Sequence, residues 1–329
     1  MKNPIKKALS EKTVVICGAS SGIGRAAAIE FAKKGSSLVL AARREWLLQE
    51  VAEECLEAGA KQAVAVWADV TDANAMEQVA GTALNLGGGI DVWINNAGIG
   101  AVGHYEKIPM NVHEQVVRIS LLGHMNGTHA VLPVFKSQGY GVLINTISVG
   151  AWTPEPYAVA YTAAKYGLRG FSAALRCELR HFAHIRVCDV YPAYIDTPGF
   201  QHGANYIGKK LKPVPPVFSA KRVAGAMVRL AQHPKASTYV GESAHVYRAM
   251  HGLSPVLTRN FTTAIMENYF KRAKPAPVSN GAVFQPCTEG TGISGGWLKP
   301  KNQKPLIAAA LFTASLAGCY LWATRKRYK

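Results

Sequence analysis

Residues 13–24 read Thr-Val-Val-Ile-Cys-Gly-Ala-Ser-Ser-Gly-Ile-Gly, a β-branched apolar run ending in a turn with glycines at 18, 22 and 24. The run predicts a buried strand, and Ile23 to Lys34 is apolar at helical spacing and stops at Gly35. Glycine permits the tight turn between them and lets the backbone approach a bound pyrophosphate. The free N–H groups of the following helix point at the phosphate charge. A glycine triplet alone is also compatible with an ordinary strand-to-helix turn. Its place at the head of an alternating pattern favours the ligand reading.

That alternation continues outward. Strands are predicted over 37–41, 62–68, 90–94, 141–147, 185–191 and 237–240, and helices over 45–58, 71–86, 111–137, 158–182 and 220–232. Elements of these lengths in this order predict an α/β fold. It is a single Rossmann-type, doubly wound parallel sheet of about seven strands with helices on both faces. The chain divides into a basic N-terminal arm (1–12) and this domain (13–250). A C-terminal extension and flexible linker rich in Pro, Gly, Ser and Asn follows (251–304), then an apolar segment (305–324) and a basic tail (325–329).

The net charge of +17 is unevenly spread: residues 1–200 hold 18 Lys/Arg against 17 Asp/Glu, and residues 201–329 hold 19 against 3. Such an excess fits nucleic acid or an anionic membrane surface. No nucleic-acid module is recognisable and the charge neighbours an apolar tail, so nucleic acid is not expected as a partner. Pro305 to Thr324 carries no charge. About twenty helical residues rise about 30 Å, close to the thickness of a hydrocarbon core. Tyr320 and Trp322 stand near one end, and Arg325, Lys326, Arg327 and Lys329 follow. The segment reads as a transmembrane anchor, with a buried C-terminal helix as the alternative. The expected location is membrane-associated, with the folded domain facing the cytoplasm. The six cysteines show no metal-ligand spacing and read as reduced thiols, and the ten histidines form no metal motif.

Tyr161 and Lys165 stand four positions apart, on one side of a predicted helix, and Ser148 lies thirteen residues before Tyr161. Tyrosine's ordinary pKa of about 10 is too high for proton exchange near neutrality. A neighbouring ammonium favours the phenolate and lowers it. The glycine turn over 18–24, Asn95-Asn96-Ala97-Gly98, Ser148 and the Tyr161-xxx-Lys165 pair together resemble the short-chain dehydrogenase/reductase family, in its compact branch. The resemblance covers about residues 10–245 and implies a fold and a chemistry. Tyr161 would be the acid/base. Lys165 would lower its pKa and hold the nicotinamide ribose. Ser148 would hydrogen-bond the substrate oxygen. Gly18, Ser20, Ser21, Gly22, Ile23 and Gly24 would cradle the dinucleotide phosphates. Asp69 and Val70 would meet the adenine, and Asn95, Ala97 and Gly98 would border the cofactor. Pro192, Ile195 and Thr197 would lie on the nicotinamide side.

Cofactor choice is read at the end of the second strand. An enzyme that binds the ribose 2′-hydroxyl places an acid there. Here stand Arg43 and Arg44, whose guanidinium groups can take a 2′-phosphate bidentately. NADP(H) is expected over NAD(H). Two positions depart from the family. Ser120 stands where relatives carry an asparagine that supports a water-mediated proton path, and Ala193 follows Pro192 where glycine is usual.

Trp152, Tyr157 and Tyr194, with Ser148, are expected to border the substrate, and their aromatic character suggests a small apolar alcohol or carbonyl compound. Relatives pair their long helices across subunits, so a homodimer or homotetramer is expected. The leading expectation is an NADP(H)-dependent oxidoreductase that interconverts an alcohol and a ketone or aldehyde. The alternative, motivated by Ser120, is a catalytically weak NADP-binding protein acting as a membrane-associated binding or scaffold protein.

Overall fold

The structure, a computed structural model, describes residues 4–298. Seven strands, β1 (Thr13–Cys17), β2 (Ser37–Ala42), β3 (Gln62–Trp67), β4 (Val92–Asn95), β5 (Gly141–Thr146), β6 (Ile185–Pro192) and β7 (Ser237–Val240), form one parallel sheet in the order β7-β6-β5-β4-β1-β2-β3. β1 is paired on both sides and all its residues are buried, which is why its sequence is an unbroken apolar run rather than an alternating one. Cys17 at its end is level with Ala41 of β2 and Asn95 of β4. From β3 at one edge the chain returns to the far side of β1. The connections leaving β1 and β4 therefore run in opposite directions and open a crevice at the carboxyl ends of the strands.

Helices α1 (Gly22–Ala32), α2 (Glu45–Glu57) and α7 (Ala220–Gln232) cover one face, sharing a core with Phe31, Leu48, Val223 and Met227. Helices α3 (Ala73–Gly87), α4 (Met110–Val117), α5 (Gly123–Gln138) and α6 (Val159–Glu178) cover the other, around Trp93, Val112 and Phe135. The helix expected over 111–137 is divided by a wider π-helical turn at Arg118–Leu122, which carries Ser120. Close approach explains the division. A Cβ at Gly123 would lie 2.6 Å from a Val70 methyl, and one at Gly127 would overlap the Asn95 side chain. The extra residue in the turn re-phases α5 so that its glycines face the sheet.

Below the crevice a buried polar network ties four elements together. Trp93 Nε1 donates to Asn95 Oδ1 (2.8 Å), while Asn95 Nδ2 donates to His124 O (3.1 Å), Thr128 Oγ1 (3.2 Å) and Asn145 Oδ1 (3.0 Å). Asn145 Nδ2 donates to Ser172 Oγ at 3.0 Å. β4, β5, α5 and α6 are thereby held in one register.

Beyond β7 the chain forms α8 (Glu242–Leu253) and α9 (Pro255–Arg272), where the Ser254 hydroxyl accepts from Leu257 N–H and caps α9. Residues 273–298 then run back across the molecule, exchanging backbone hydrogen bonds at Asn205–Ser279 and donating from Ala282 N–H to His202 O. The stretch 251–304, expected as an extension and flexible linker, thus contains a long helix and a hydrogen-bonded strap up to residue 298. Cys17, Cys55, Cys177, Cys188 and Cys287 are free thiols.

The expected membrane location is corrected. Among the described residues no helix is long and apolar enough to cross a membrane. α6 and α9, with 20 and 18 residues, have the length. Lys165, Arg169 and Arg176 interrupt the first, and Arg259, Glu267, Lys271 and Arg272 the second. The segment 305–324 and the tail 325–329 lie outside the described residues.

Asn95→Leu deprives Trp93 Nε1 and Asn145 Oδ1 of their buried partner. The expected cost is about 2–4 kcal/mol of unfolding free energy, seen as a lower urea midpoint at unchanged slope. A midpoint equal to that of the parent protein contradicts this account of the network.

Candidate functional site

Gly18 leaves β1 with φ of +82°, and a Cβ there would sit 2.8 Å from the Ala97 backbone. Gly22 has φ of +58°, and a Cβ on Gly24 would overlap Gly18 O. Each glycine therefore serves the turn, in positive-φ geometry at the first two and in close backbone packing at the third. The turn borders a cavity of about 230 Å³. Gly18, Ser20, Ser21, Gly22, Ile23, Arg43, Arg44, Asp69, Val70, Ala97, Gly98 and Thr197 all line it. A second cavity of about 250 Å³ is lined by Ser148, Tyr161, Lys165, Pro192, Tyr194 and Ile195. The two share Ile23, Gly98, Ile99 and Thr197 as walls and so form one continuous crevice.

Some expected contacts are not brought there. Gly24 packs under the turn, and Asn95 is turned into the buried network while its neighbour Asn96 faces the crevice, donating to Gly18 O at 3.1 Å. Trp152, expected at the substrate, packs beside Tyr191, with the Arg169 guanidinium 4.2 Å from its ring centroid. Tyr157 adopts φ of +66° and sets its ring edge-on to His104 and Phe270, so α9 takes the surface expected for substrate. Tyr194 does reach the crevice.

Tyr161 and Lys165 come from α6, and Ser148 from the end of β5. Lys165 Nζ donates to Thr146 O at 3.0 Å and lies 5.7 Å from the Tyr161 ring centroid. Burial pushes the Lys165 ammonium down to about 8, opposed by Glu155. The expectation that Lys165 lowers the Tyr161 pKa meets a competing effect. Burial first, and then the Glu155 carboxyl, hold the phenol above its usual range, and only the Ser148 hydroxyl pulls it down. In the protein alone Tyr161 is therefore a protonated phenol. Burial likewise raises Glu155 to about 7, with Lys165 opposing. Ser120 Oγ donates to Ile99 O (2.9 Å) and accepts from Ile99 N (3.1 Å), so both its capacities serve the backbone. His124, one turn along, is pushed down to about 3, mainly by burial and then by Lys165.

The largest departure from expectation is the strap. Arg43 donates to Ala282 O (2.7 Å) and Phe284 O (3.1 Å). Arg44 reaches Ser21 Oγ (2.6 Å), Ser20 Oγ (3.0 Å) and Gly290 O (3.4 Å). Gly22 N–H donates to Gly292 O at 3.0 Å. Asp196 anchors the end of the strap by accepting from Ser294 Oγ (2.6 Å), Gly295 N (3.0 Å) and Trp297 N (2.8 Å). The strap's Pro/Gly/Ser/Asn composition reads as linker, and apolar residues such as Val283, Phe284 and Ile293 are the sequence signal against that reading; Val283 is wholly buried and Ile293 packs on the core. Glu155, Ile99 and the strap residues Ala282, Pro286 and Cys287 also line the crevice and carry no motif, while Asn96 belongs to the Asn95–Gly98 run but has no role assigned from sequence.

The dinucleotide implied by the glycine turn fits these residues. The turn offers a Cβ-free cradle, a helix N-terminus and two guanidinium groups at the far end. Gly22 N–H, Arg43 and Arg44 donate to strap carbonyls or serine hydroxyls.

Residues 12–205 match the family model described as short chain dehydrogenase. The chain belongs to the short-chain dehydrogenase family and is an oxidoreductase. Among curated proteins it is 30% identical over 333 residues to YxnA, an uncharacterized oxidoreductase of Bacillus subtilis, covering 98% of this chain and 92% of that one. It is 33% identical over 255 residues to the NADP-dependent 3-hydroxy acid dehydrogenase of Schizosaccharomyces pombe, covering 73% and 98%. Among solved structures it resembles an alcohol dehydrogenase from the archaeon Thermococcus sibiricus complexed with 5-hydroxy-NADP. That match has a TM-score of 0.60 and 26% identity, and it covers 70% of this chain and 95% of that one.

Asp196→Ala removes three acceptor bonds from the end of the strap. Amide exchange over 290–297 is expected to accelerate by about tenfold or more while the sheet amides keep their protection. Unchanged exchange over 290–297 refutes the anchoring role.

Proposed function

We propose that this chain is an NADP(H)-dependent oxidoreductase that interconverts an alcohol and a ketone or aldehyde on an apolar substrate. One observation carries the reading: Ser148, Tyr161 and Lys165 converge on a crevice continuous with the glycine turn. When bound, the reduced nicotinamide supplies the hydride that adds to the carbonyl carbon. The residues of the chain manage the oxygen. The Ser148 hydroxyl hydrogen-bonds it, and the Tyr161 phenol donates its proton as the C–O bond gains negative charge. The raised pKa of Tyr161 suits this acid role, since the group begins protonated. Lys165 is a cation below about 8, and its charge attracts the phenolate left behind. In the opposite direction the same groups withdraw the proton from an alcohol.

NADP(H) is preferred in this reading because Arg43 and Arg44 stand where a 2′-phosphate would lie and no carboxylate ends β2. Asp69 is 3.9 Å from Arg43, a loose contact that a phosphate can outcompete. The named ligand and cofactor of the two relatives above support this choice. Ser120 favours a second reading, a dinucleotide-binding protein with little turnover, because its hydroxyl is held by Ile99 and offers no relay.

Two experiments separate these readings. Tyr161→Phe is expected to lower kcat/KM for NADPH-dependent carbonyl reduction by about 10³-fold. An equal background rate in both proteins sustains the weak-binding reading. Wild-type protein is expected to favour NADPH over NADH. Arg43→Ala should erode that preference by about 10–100-fold, the worth of a charge-assisted hydrogen bond, and faster turnover with NADH overturns it.

A further inference from the structure

Glu155 is the one carboxyl among the described residues on the wall of the cavity that holds Tyr161, and the chemistry above does not use it. Glu155 lines the cavity shared by Ser148, Tyr161 and Lys165. Its backbone is fixed to the first turn of α6: Glu155 N–H donates to Thr162 Oγ1 at 3.0 Å, and Ala158 N–H donates to Glu155 O at 3.2 Å. The residue is thus seated within one turn of Tyr161, and its placement is set by main chain rather than by its own carboxyl. That carboxyl accepts no hydrogen bond and forms no ion pair among the described residues. Lys165, whose charge acts on it, donates a hydrogen bond from Nζ to Thr146 O and forms no ion pair with it. Away from the reacting end the wall is apolar, with Val102, Val149, Phe200 and Leu211.

A half-buried carboxyl that lines the reacting cavity without a protein partner is free to bond to whatever the cavity holds. A structural use would show as a hydrogen bond or ion pair, and none is present. We infer that Glu155 is a specificity-determining residue that accepts a hydrogen bond from a hydroxyl on the substrate, so that the substrate class is a hydroxylated ketone or aldehyde and its matching diol. The inference rests on the carbonyl-reductase reading and sharpens it. Ser148 and Tyr161 take the reacting oxygen, and Glu155 takes a second oxygen carried on an otherwise apolar skeleton. A hydroxyl suits the site better than an ammonium. Burial holds the Glu155 carboxyl up at about 7, and a hydroxyl can donate to the carboxylate or accept from the acid. The competing account is a single trapped water. The adjoining hollow of about 20 Å³, between Glu155, Thr153, Tyr247 and Met266, has room for one.

The test compares NADPH-dependent reduction of acetophenone, its 2-, 3′- and 4′-hydroxy derivatives and their methoxy counterparts. It uses the full chain, Glu155→Gln and Glu155→Leu. For at least one hydroxylated probe, wild-type kcat/KM should exceed that of acetophenone and of the methoxy compound by about tenfold or more. The ratio should shrink in Glu155→Gln, which still accepts a hydrogen bond in nearly the same shape, and collapse toward unity in Glu155→Leu. A wild type that treats hydroxylated and plain probes alike overturns the inference, as does a ratio that survives Glu155→Leu. The second result is also the one a carboxyl held by water would give. Tyr161→Phe keeps the two levels apart. Turnover that Tyr161→Phe abolishes but hydroxylation does not affect rejects Glu155 alone. Turnover that Tyr161→Phe leaves intact rejects the reductase reading beneath it.

Discussion

The amide of Asn95 is the joint on which the site is hung. It sits at the end of β4, buried, and its oxygen and nitrogen together engage Trp93, His124, Thr128 and Asn145. Through Asn145 and Ser172 the chain of bonds continues into α6, the helix that carries Tyr161 and Lys165. Networks of this kind have high stakes in a low-dielectric interior, because every unsatisfied member is expensive. Satisfied throughout, this one sets the height of α6 against the sheet and hence the depth of Lys165 in the crevice. Close packing enforces the same register, since Gly127 has no room for a side chain against Asn95.

Above that joint the site balances desolvation against charge. Lys165 is buried, Tyr161 and Glu155 are half-buried, and each is pushed toward its neutral form. The cation and the carboxyl oppose that push in one another, while the carboxyl adds to it at the phenol. The result is a phenol that begins protonated beside an ammonium that is easily lost. Such a group is better matched to giving a proton than to holding a negative charge. A second positive charge next to Tyr161 would shift the balance toward phenolate.

Much of the architecture was legible because it rests on local rules. Thr13–Cys17, the three glycines and the alternation that follows are written in periodicity and turn chemistry, and β7 and α7 lie where the pattern places them. Ser148, Tyr161 and Lys165 were legible because their spacing matches a motif. What escaped depends on distant partners. The π-helical turn at Arg118–Leu122 arises from contacts with Val70 and Asn95, which no window around residue 120 contains. Trp152 and Tyr157 were drawn to the substrate by their aromatic character, yet Arg169 stacks on one and Phe270 abuts the other. Glu155 has no motif, and its role emerges only once the apolar wall is assembled around it. The strap looked like linker because glycine and serine are as common in hydrogen-bonded irregular chain as in free coil.

The strap also bears on how the chain is made. Gly22 lies 270 residues from its partner Gly292, and Arg43 is 241 residues from Phe284. Contacts this far apart close very long loops, the slowest kind of contact to form. During synthesis the glycine turn emerges long before the strap and stays incomplete until residue 292 has followed it. A segment made early therefore acquires its full set of native bonds late.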